Sequence, residues 1–446
     1  MRKPFSIPDK PFSAVPLWVG FFSLAIFLGV LSYSIQQKWH PYVISWCASL
    51  SILLPCLFYE AYASRHTITI RQENYVKHGH RMLLKRIGLS ITIAIWFFLI
   101  WLFPYYREPA THLINVATYP ATVWWKLSGT GTLLQWQLGV GFAAFILIDR
   151  YLKYTDLCLL TPQDGLFSFG AFILKKKEDI DYKALKQYSL QWLVKAFFLP
   201  WMLLWVNNNF QVLVNYSWSH LYSLYKNPQI SLTRFILLEW EIARTLLYTI
   251  DLGFATAGYA CTLKLFNTHI RSVQSTVWGW VVCLACYPPF EQMITASFMN
   301  YHGVETRFLS MWSGTPLIIS ALWIIGALSL LSIYTLATIQ FGIRFSNLTH
   351  RGILTNGVYA LSKHPAYISK NLMWWWICVP FFVVGQGWSQ ALGDCIRLAL
   401  RNFIYYLRAK SEELHLSEDL IYREYAQWVN QYGLLARIKY YFTKLF

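Results

Sequence analysis

The sequence is poor in charge. Asp, Glu, Lys and Arg make up only 13% of its 446 residues, whereas a typical soluble domain has about 25%. Hydrophobic residues make up 56% of the chain. A soluble globular fold does not need so large an apolar fraction, so the composition excludes that class and indicates an integral membrane protein.

The sequence also lacks a disulfide framework and a set of cysteines spaced to hold a metal. Its eight cysteines lie mostly inside apolar runs, where a free thiol behaves as a small hydrophobic side chain. Cys283 and Cys286 form a C-x-x-C, but no second ligand pair accompanies them. Core packing is therefore the favoured interpretation, and no metal site is predicted.

Long apolar runs follow one another along the chain. A helix needs about 20 residues to cross a bilayer, and eight runs suit such spans: 16–35, 41–63, 87–105, 132–148, 189–206, 235–265, 275–294 and 316–339. Two shorter runs, 371–384 and 392–407, are typical of a membrane hairpin. We therefore expect an all-α, polytopic transmembrane helix bundle of about eight spans, followed by the C-terminal hairpin and a cytoplasmic helix. The first run has no small-residue cleavage site after it, which favours an uncleaved anchor.

The formal net charge of +17 is distributed among the loops and does not mark one soluble face. Six of the 38 Lys and Arg residues fall in one alternating set of loops: Lys38, Arg107, Lys126, Lys226, Arg234 and Arg307. Most of the others fall in the opposite set, which the positive-inside rule places in the cytoplasm together with both termini. The bilayer is thus the expected partner and nucleic acid is not. We expect a multi-pass protein of a bacterial inner membrane.

Two segments near the C-terminus carry the most informative residues. Residues 355–367 read TNGVYALSKHPAY, and residues 408–429 read RAKSEELHLSEDLIYREYAQWV. A glycine, an aromatic residue and a His-Pro thus lie on one side of the apolar hairpin, and an acidic pair lies on the other. The acidic pair is expected to open a helix that runs to about Asn430.

These segments resemble the C-terminal core of the isoprenylcysteine carboxyl methyltransferase and phospholipid methyltransferase superfamily. That core has a G-x-Y, an R-H-P-x-Y, a membrane hairpin and a Glu-Glu pair in the same order. The resemblance divides the chain into a transmembrane bundle of unassigned role, residues 1–340, and a methyltransferase-like cofactor-binding core, residues 341–446.

The resemblance implies an S-adenosylmethionine-dependent methyltransferase whose acceptor is an isoprenylcysteine carboxylate or a lipid-like amphiphile. It implies cofactor binding by six residues: Gly357, Tyr359, His364, Pro365, Tyr367 and Glu412. Arg408 and Glu413 are the implied catalytic residues. These residue types suit the chemistry, because tyrosine rings attract a sulfonium cation and an arginine grips a carboxylate or phosphate. A glycine permits close approach, and a proline holds the preceding backbone extended.

Two positions depart from the family pattern and bear on whether the chain is an active or a degenerate member, and other functions also stay open. Lys363 and Ser369 stand where the family has Arg and Gly, and Lys lacks the two-pronged hydrogen bonding of Arg. One alternative is a membrane reductase similar to the sterol reductases, which end in a related His-Pro-x-Tyr segment and bind NADPH. Another is a non-catalytic scaffold or transporter that uses the first eight spans.

Ionisable residues inside the run 235–265 need partners, since charge within a membrane is costly. Glu241 and Arg244 are three residues apart and are expected to pair on one helix face. Asp251 has no local partner, and three distant residues are candidates: Lys195, Glu291 and Arg397.

Overall fold

The computed structural model is mostly helical. It describes residues 9–37, 39, 41–66, 68–69, 78–107, 133–159, 164–226, 232–297, 316–383 and 387–445. Four helices are long and apolar enough to cross a membrane: Leu17–Gln36, Gly79–Leu102, Tyr182–Val214 and Ile318–Arg344. The chain is thus a helical membrane protein, as the composition predicts, while the count of eight spans stays a prediction.

Helices occupy most of the described part of residues 9–260. They are α1 Leu17–Gln36, α2 Pro41–Ala63, α3 His78–Leu102, α4 Leu133–Cys158, α5 Gly165–Ile173, α6 Tyr182–Lys226 and α7 Leu232–Ala260. The predicted run 189–206 is only part of α6, which has 45 residues. The basic first turns of α6 belong to the segment before residue 189, which lies outside the predicted apolar run.

The remaining elements surround the C-terminal segments. They are β1 Ser272–Val273, α8 Val277–Leu284, α9 Phe290–Ser297, α10 Leu317–Phe341, β2 Thr349–His350, α11 Pro365–Val383, α12 Trp388–Leu416, α13 Leu420–Tyr432 and α14 Leu434–Leu445. The two short strands pair antiparallel, with Ser272 opposite His350. α11 and α12 pack side by side where the sequence predicts the hairpin; their insertion as a membrane hairpin stays a prediction.

The predicted span 275–294 does not form one helix. It is divided into α8 and α9, each of eight residues, which is too short to cross a bilayer. Pro288 and Pro289 lie between the two helices, and a proline lacks the backbone N–H that a continuous helix requires. Cys283 of α8 and Tyr287 of the turn after it instead line a cavity beside the two C-terminal motif segments, which we call the C-terminal site.

The acidic pair also lies in a different element from the one expected. Glu412 and Glu413 belong to the last turns of α12, and a separate helix, α13, follows. The Asp419 carboxylate caps α13 because it accepts a hydrogen bond from the Ile421 backbone N–H at 2.7 Å. The prediction of one helix running from the acidic pair to residue 430 is therefore wrong.

One hydrophobic core joins the N-terminal helices to the C-terminal segments. Val15, Phe27, Ala337, Tyr359 and Tyr425 belong to the same buried cluster. α1 approaches α10 so closely that a Cβ at position 20, which is glycine, would lie 2.3 Å from the Ile339 carbonyl oxygen. Helix α1 thus supports the wall of the C-terminal site.

Residues 11–15 also bind directly to the loop that precedes the G-x-Y. The Ala14 N–H donates to the Ile353 carbonyl at 2.8 Å, and the Asn356 side-chain amide donates to the Val15 carbonyl at 2.8 Å. The Thr355 hydroxyl donates to the Pro11 carbonyl at 2.6 Å. These contacts fix the loop 353–356 before it enters the site.

A buried ion pair fixes the start of the longer loop 344–359, to which residues 353–356 belong. Arg344 donates to both carboxylate oxygens of Glu60 in α2, at 2.6 Å each. Arg351 donates to the Gly258 and Cys261 carbonyls at 2.7 and 2.6 Å. Because these carbonyls lie at the C-terminal end of α7, Arg351 caps that helix.

Candidate functional site

A cavity of about 180 Å³ lies between the loop 344–359, the start of α11 and the ends of α8, α10, α12 and α13. Six of the predicted site residues line it: Tyr359, His364, Pro365, Tyr367, Arg408 and Glu412. The two motif segments, separated in sequence by the α11–α12 pair, therefore meet at one cavity. Gly357 and Glu413 are not in the lining, and each supports a residue that is.

Gly357 has a structural role in this arrangement. Its φ of 55° lies in the left-handed region that favours glycine, and a Cβ there would lie 2.4 Å from the Gln340 side-chain nitrogen. The Gln340 amide oxygen accepts a hydrogen bond from the Val358 N–H at 3.2 Å. Gly357 thus lets the backbone turn tightly against α10 and places Tyr359 in the cavity wall.

His364 is held in a defined orientation. It immediately precedes Pro365, the first residue of α11, and its ring stacks on Tyr367 with centroids 5.5 Å apart and planes at 5°. Its Nε2 lies 3.1 Å from Glu413 Oε1. Sequence and structure agree that the imidazole orientation is fixed at this point.

Glu413 collects three hydrogen bonds. Besides His364, it accepts from Lys363 Nζ at 2.8 Å and from Lys410 Nζ at 2.9 Å. Burial alone would raise the pKa of the Glu413 carboxyl, but the donors His364, Lys363 and Lys410 outweigh burial and lower that pKa below its usual value. Glu413 is therefore ionised at neutral pH, and it orients His364 from outside the cavity lining.

Glu412 and Arg408 form a second group in the wall. The Tyr367 hydroxyl donates to Glu412 Oε1, and Arg408 Nε donates to the same oxygen at 3.2 Å. Arg408 Nη2 donates to Asn347 Oδ1 at 2.6 Å. Arg408 therefore positions Glu412 and Asn347, and its guanidinium is already engaged by groups of the chain.

Tyr359, Tyr422 and Tyr425 frame one side of the cavity. The Tyr425 hydroxyl donates to the Tyr359 carbonyl at 2.8 Å, which ties α13 to the G-x-Y turn. The buried hydroxyl of Tyr422 has no hydrogen-bond partner within the described part of the chain, although this side chain lines the cavity. A buried hydroxyl without a partner is costly, so it is available to a ligand.

Several lining residues have no signal in the sequence. Asn347 donates to the hydroxyls of Tyr259 and Tyr287 at 2.6 and 2.8 Å, and thereby connects α7 and the turn after α8 to Arg408. Gln274 donates to the Ser411 hydroxyl at 3.0 Å. These residues come from three separate regions, and only the folded chain brings them together.

His350 is a further lining residue, and it lies outside both motif segments. It is buried, and its Nε2 lies 3.4 Å from Asp419 Oδ2. Burial lowers the pKa of the His350 imidazole from 6.5 to about 4, although the Asp419 charge opposes this change. The imidazole is thus neutral at neutral pH, and its contact with Asp419 is not an ion pair.

The three candidate partners of Asp251 are wrong. Its carboxylate accepts hydrogen bonds from the Tyr334 and Thr338 hydroxyls of α10, at 2.9 and 2.5 Å. The candidates bind elsewhere: Lys195 to Thr262, Glu291 to Arg401 and Arg397 to Asp394. The predicted pair of Glu241 and Arg244 is confirmed, with a contact of 2.6 Å.

The cysteine and Ser369 positions have ordinary structural surroundings. Cys283 lines the cavity as a free thiol, and Cys286 Sγ lies 3.5 Å from the Val282 carbonyl. Among the described residues, no group of three or more His, Cys, Asp or Glu side chains is placed to hold a metal ion. The Ser369 hydroxyl donates to the Pro365 carbonyl at 2.8 Å and so stays within α11.

No family model, curated protein or solved structure matches the chain. The resemblance to the methyltransferase superfamily therefore depends on the motif residues alone.

Proposed function

We propose that this chain is a membrane-embedded S-adenosylmethionine-dependent methyltransferase that acts on an amphiphilic acceptor. The observation that carries the proposal is the cavity, whose wall joins Tyr359, His364 and Tyr367 to Glu412. These are the residues that the family resemblance assigns to the cofactor. They come from segments about 50 residues apart in sequence, and they meet with hydrogen bonds between them.

The hydrogen-bonding atoms and aromatic faces of the cavity wall suit such a cofactor. Glu412 uses Oε1 to accept from Tyr367 and Arg408, which leaves Oε2 for the amino group or a ribose hydroxyl. The faces of the lining tyrosines suit the positive sulfur. The Tyr422 hydroxyl, which lacks a partner among the described residues, supplies a further donor in the wall.

The bound cofactor supplies an electrophilic methyl group. The chain's own contribution is to align the acceptor and to keep water out of the reacting space. An acceptor carboxylate needs no base. For an amine or hydroxyl acceptor, the tautomer of His364 whose Nε2–H hydrogen-bonds to the ionised Glu413 leaves Nδ1 unprotonated, and Nδ1 takes the proton that the acceptor loses.

We propose a multi-pass arrangement of eight spans plus the hairpin, in a bacterial inner membrane, with both termini in the cytoplasm. Four candidate spans and the asymmetric distribution of basic residues support it. Residues 13–15 contact the loop before the G-x-Y, and the Leu434 N–H of α14 donates to the Leu361 carbonyl at 2.9 Å. The two ends of the chain thus approach the same side of the site, where a soluble cofactor is available.

Ligand-dependent thermal stabilisation of the purified protein tests the proposal. S-adenosylmethionine or S-adenosylhomocysteine at 100 times its dissociation constant should stabilise the protein by about 2.7 kcal/mol. Stabilisation by NADPH alone would favour the sterol-reductase-like alternative. A protein that responds to none of the three would favour a scaffold or transporter.

Two variants localise the effect. Glu412→Ala and His364→Ala should each weaken binding of S-adenosylhomocysteine by about 1–3 kcal/mol, because each removes a hydrogen bond in a charged network. Glu424→Ala is the matched control, since this glutamate is exposed on α13. Unchanged affinity in both folded site variants would contradict the assignment of this cavity to the cofactor.

A further inference from the structure

The part of the cavity away from the His-Pro motif contains a lysine in an unusual setting. Lys370, on α11, lines the cavity together with Tyr334 and Tyr405. Its Nζ lies 5.3 Å from the Tyr334 ring centroid, 5.2 Å from that of Trp374 and 5.8 Å from that of Tyr405. Three aromatic rings thus stabilise the ammonium without accepting conventional hydrogen bonds from it.

No oxygen among the described residues accepts a hydrogen bond from Lys370, and no carboxylate there lies within ion-pair distance of it. The cation of Arg401 and the carboxylate of Asp251 interact with the Lys370 ammonium through space, and the two oxygens of Asp251 are hydrogen-bonded to Tyr334 and Thr338. An ammonium has three N–H donors. Those of Lys370 are therefore available to a molecule in the cavity.

The other cavity-lining Lys and Arg side chains are already engaged. Arg344 binds Glu60, Arg351 binds backbone carbonyls, Lys363 binds Glu413 and Arg408 binds Glu412. Among the lining cations that the structure describes, Lys370 alone has its donors open. This contrast separates Lys370 from cations that merely hold the fold together.

The helix that carries Lys370 also has an outward apolar face. Ile368, Leu372 and Trp376 are exposed and follow one another at a spacing of four residues, which places them on one stripe of α11. Lys370 is two residues from both Ile368 and Leu372, so it lies on the opposite side of the helix. One helix thus separates a surface suited to lipid from a cavity that contains an open cation.

We propose that Lys370 forms an anion subsite that binds the carboxylate or phosphate of the amphiphilic acceptor. The ammonium donates to the anionic oxygens, and the rings of Tyr334 and Tyr405 pack against the adjoining apolar part of the molecule. This inference rests on the proposed function in one respect, since it names the acceptor's headgroup chemistry. The subsite itself needs no cofactor to be measured.

Binding of single-chain and two-chain amphiphiles to the detergent-purified full chain tests this subsite in the absence of cofactor. Oleate presents a carboxylate, dioleoyl phosphatidate presents a phosphate, and oleyl alcohol and dioleoyl glycerol are their neutral counterparts. At least one anionic probe should bind about tenfold more tightly than its neutral counterpart, and the arm that does so identifies the anion. Equal binding of charged and neutral probes in both arms would overturn the proposal.

Variants at position 370 decide whether this lysine is responsible. Lys370→Met should remove the preference for the anionic probe, and Lys370→Arg should keep it within a few-fold. Lys370→Gln, which keeps a polar side chain, serves if Lys370→Met does not fold. Persistence of the full preference in Lys370→Met or Lys370→Gln would overturn the inference.

Lys195→Met is the matched control. Lys195 is also half-buried and lies 5.1 Å from a tryptophan ring centroid, that of Trp192, but its Nζ is hydrogen-bonded to Thr262 and it does not line the cavity. Its replacement should leave the anion preference unchanged. A parallel titration with S-adenosylhomocysteine keeps the two proposals separate: anion binding through Lys370 without cofactor binding would support the subsite and contradict the methyltransferase.

Discussion

Two groups of charged side chains in this protein differ in whether they leave hydrogen-bonding atoms available to a ligand. The first, the α3–α5 cluster, consists of Arg81, Lys85, Asp156 and Asp164. Lys85 is almost completely buried, and its Nζ lies 2.5 Å from a carboxylate oxygen of each aspartate. Arg81 adds a second positive charge within 4 Å of both aspartates. None of these four residues lines the cavity.

The second group lines or borders the cavity and consists of Lys363, His364, Lys370, Arg408, Glu412 and Glu413. Here the carboxylates are also paired, yet two groups keep hydrogen-bonding capacity at the cavity. The ammonium of Lys370 has no hydrogen-bond partner among the described residues, and Glu412 Oε2 lies 4.0 Å from His364 Nδ1, which is too far for a hydrogen bond. Asp156 Oδ2 in the α3–α5 cluster also accepts no hydrogen bond from the described residues, but Asp156 does not line the cavity. The two groups therefore differ in access: charges that contact only one another stabilise a fold, whereas free donors and acceptors at a cavity are available to a ligand. Burial of charge alone therefore does not identify a functional site.

Replacing Lys85 tests the α3–α5 cluster and should have the largest effect on stability. Lys85→Met leaves Asp156 and Asp164 buried without their shared partner, which should lower the free energy of unfolding by about 3–5 kcal/mol. The affinity of the remaining folded protein for S-adenosylhomocysteine should not change. Chemical denaturation and calorimetric titration measure the two quantities.

The pair of Arg86 in α3 and Asp149 in α4 provides the control. Arg86 is 49% exposed, so Arg86→Met should cost less than about 1 kcal/mol. If Lys85→Met and Arg86→Met destabilise the protein equally, the α3–α5 cluster does not have the structural role assigned to it.

Substitution of Lys363 tests the second group and should have a smaller effect. Lys363→Arg keeps a donor to Glu413 and should leave the affinity for S-adenosylhomocysteine within a few-fold. Lys363→Ala removes one of three donors, and because the pair is partly exposed it should weaken binding by at most about fivefold. Calorimetric titration distinguishes these values, and negligible heat in the parent and both variants would refute the enzyme proposal.

The pH dependence of stability tests a further residue of the cavity wall, His350. His350 has a pKa of about 4 in the folded chain, so the unfolded chain binds more protons between pH 4 and 6.5. The free energy of unfolding should therefore fall as the pH drops through this range, and His350→Gln should reduce the slope. Thermal melts across the range measure it. Parallel curves for the two proteins would show that His350 does not contribute.

The sequence was sufficient to predict the meeting of the two motifs. The order of Tyr359, His364, Tyr367 and Glu412 around an apolar helix pair indicated a shared site, and all four line one cavity. This meeting has a local cause: Pro365 begins α11, and the antiparallel pair α11–α12 brings the chain back beside the start of α11. The helical membrane class could likewise be predicted, because it depends on composition and not on contacts between distant segments.

Contacts between distant segments could not be predicted in the same way. Asn347 and Arg408 are 61 residues apart, and Glu60 and Arg344 are 284 apart. Such pairs depend on helix rotation and packing, which a single sequence does not specify. Asp251 shows the same limit, because hydroxyls of α10 satisfy its carboxylate, whereas a charge within an apolar run predicts a charged partner.

The attachment of residues 11–15 to the loop 353–356 has a consequence for biosynthesis. The ribosome completes the first segment long before the loop that it binds, so the N-terminal segment must await its partner while the intervening helices enter the membrane. The same holds for Glu60, which must remain accessible until Arg344 is synthesised. The cavity wall is therefore completed late, after insertion of α10, and expression of residues 341–446 alone would produce a chain without the surfaces that fix this loop.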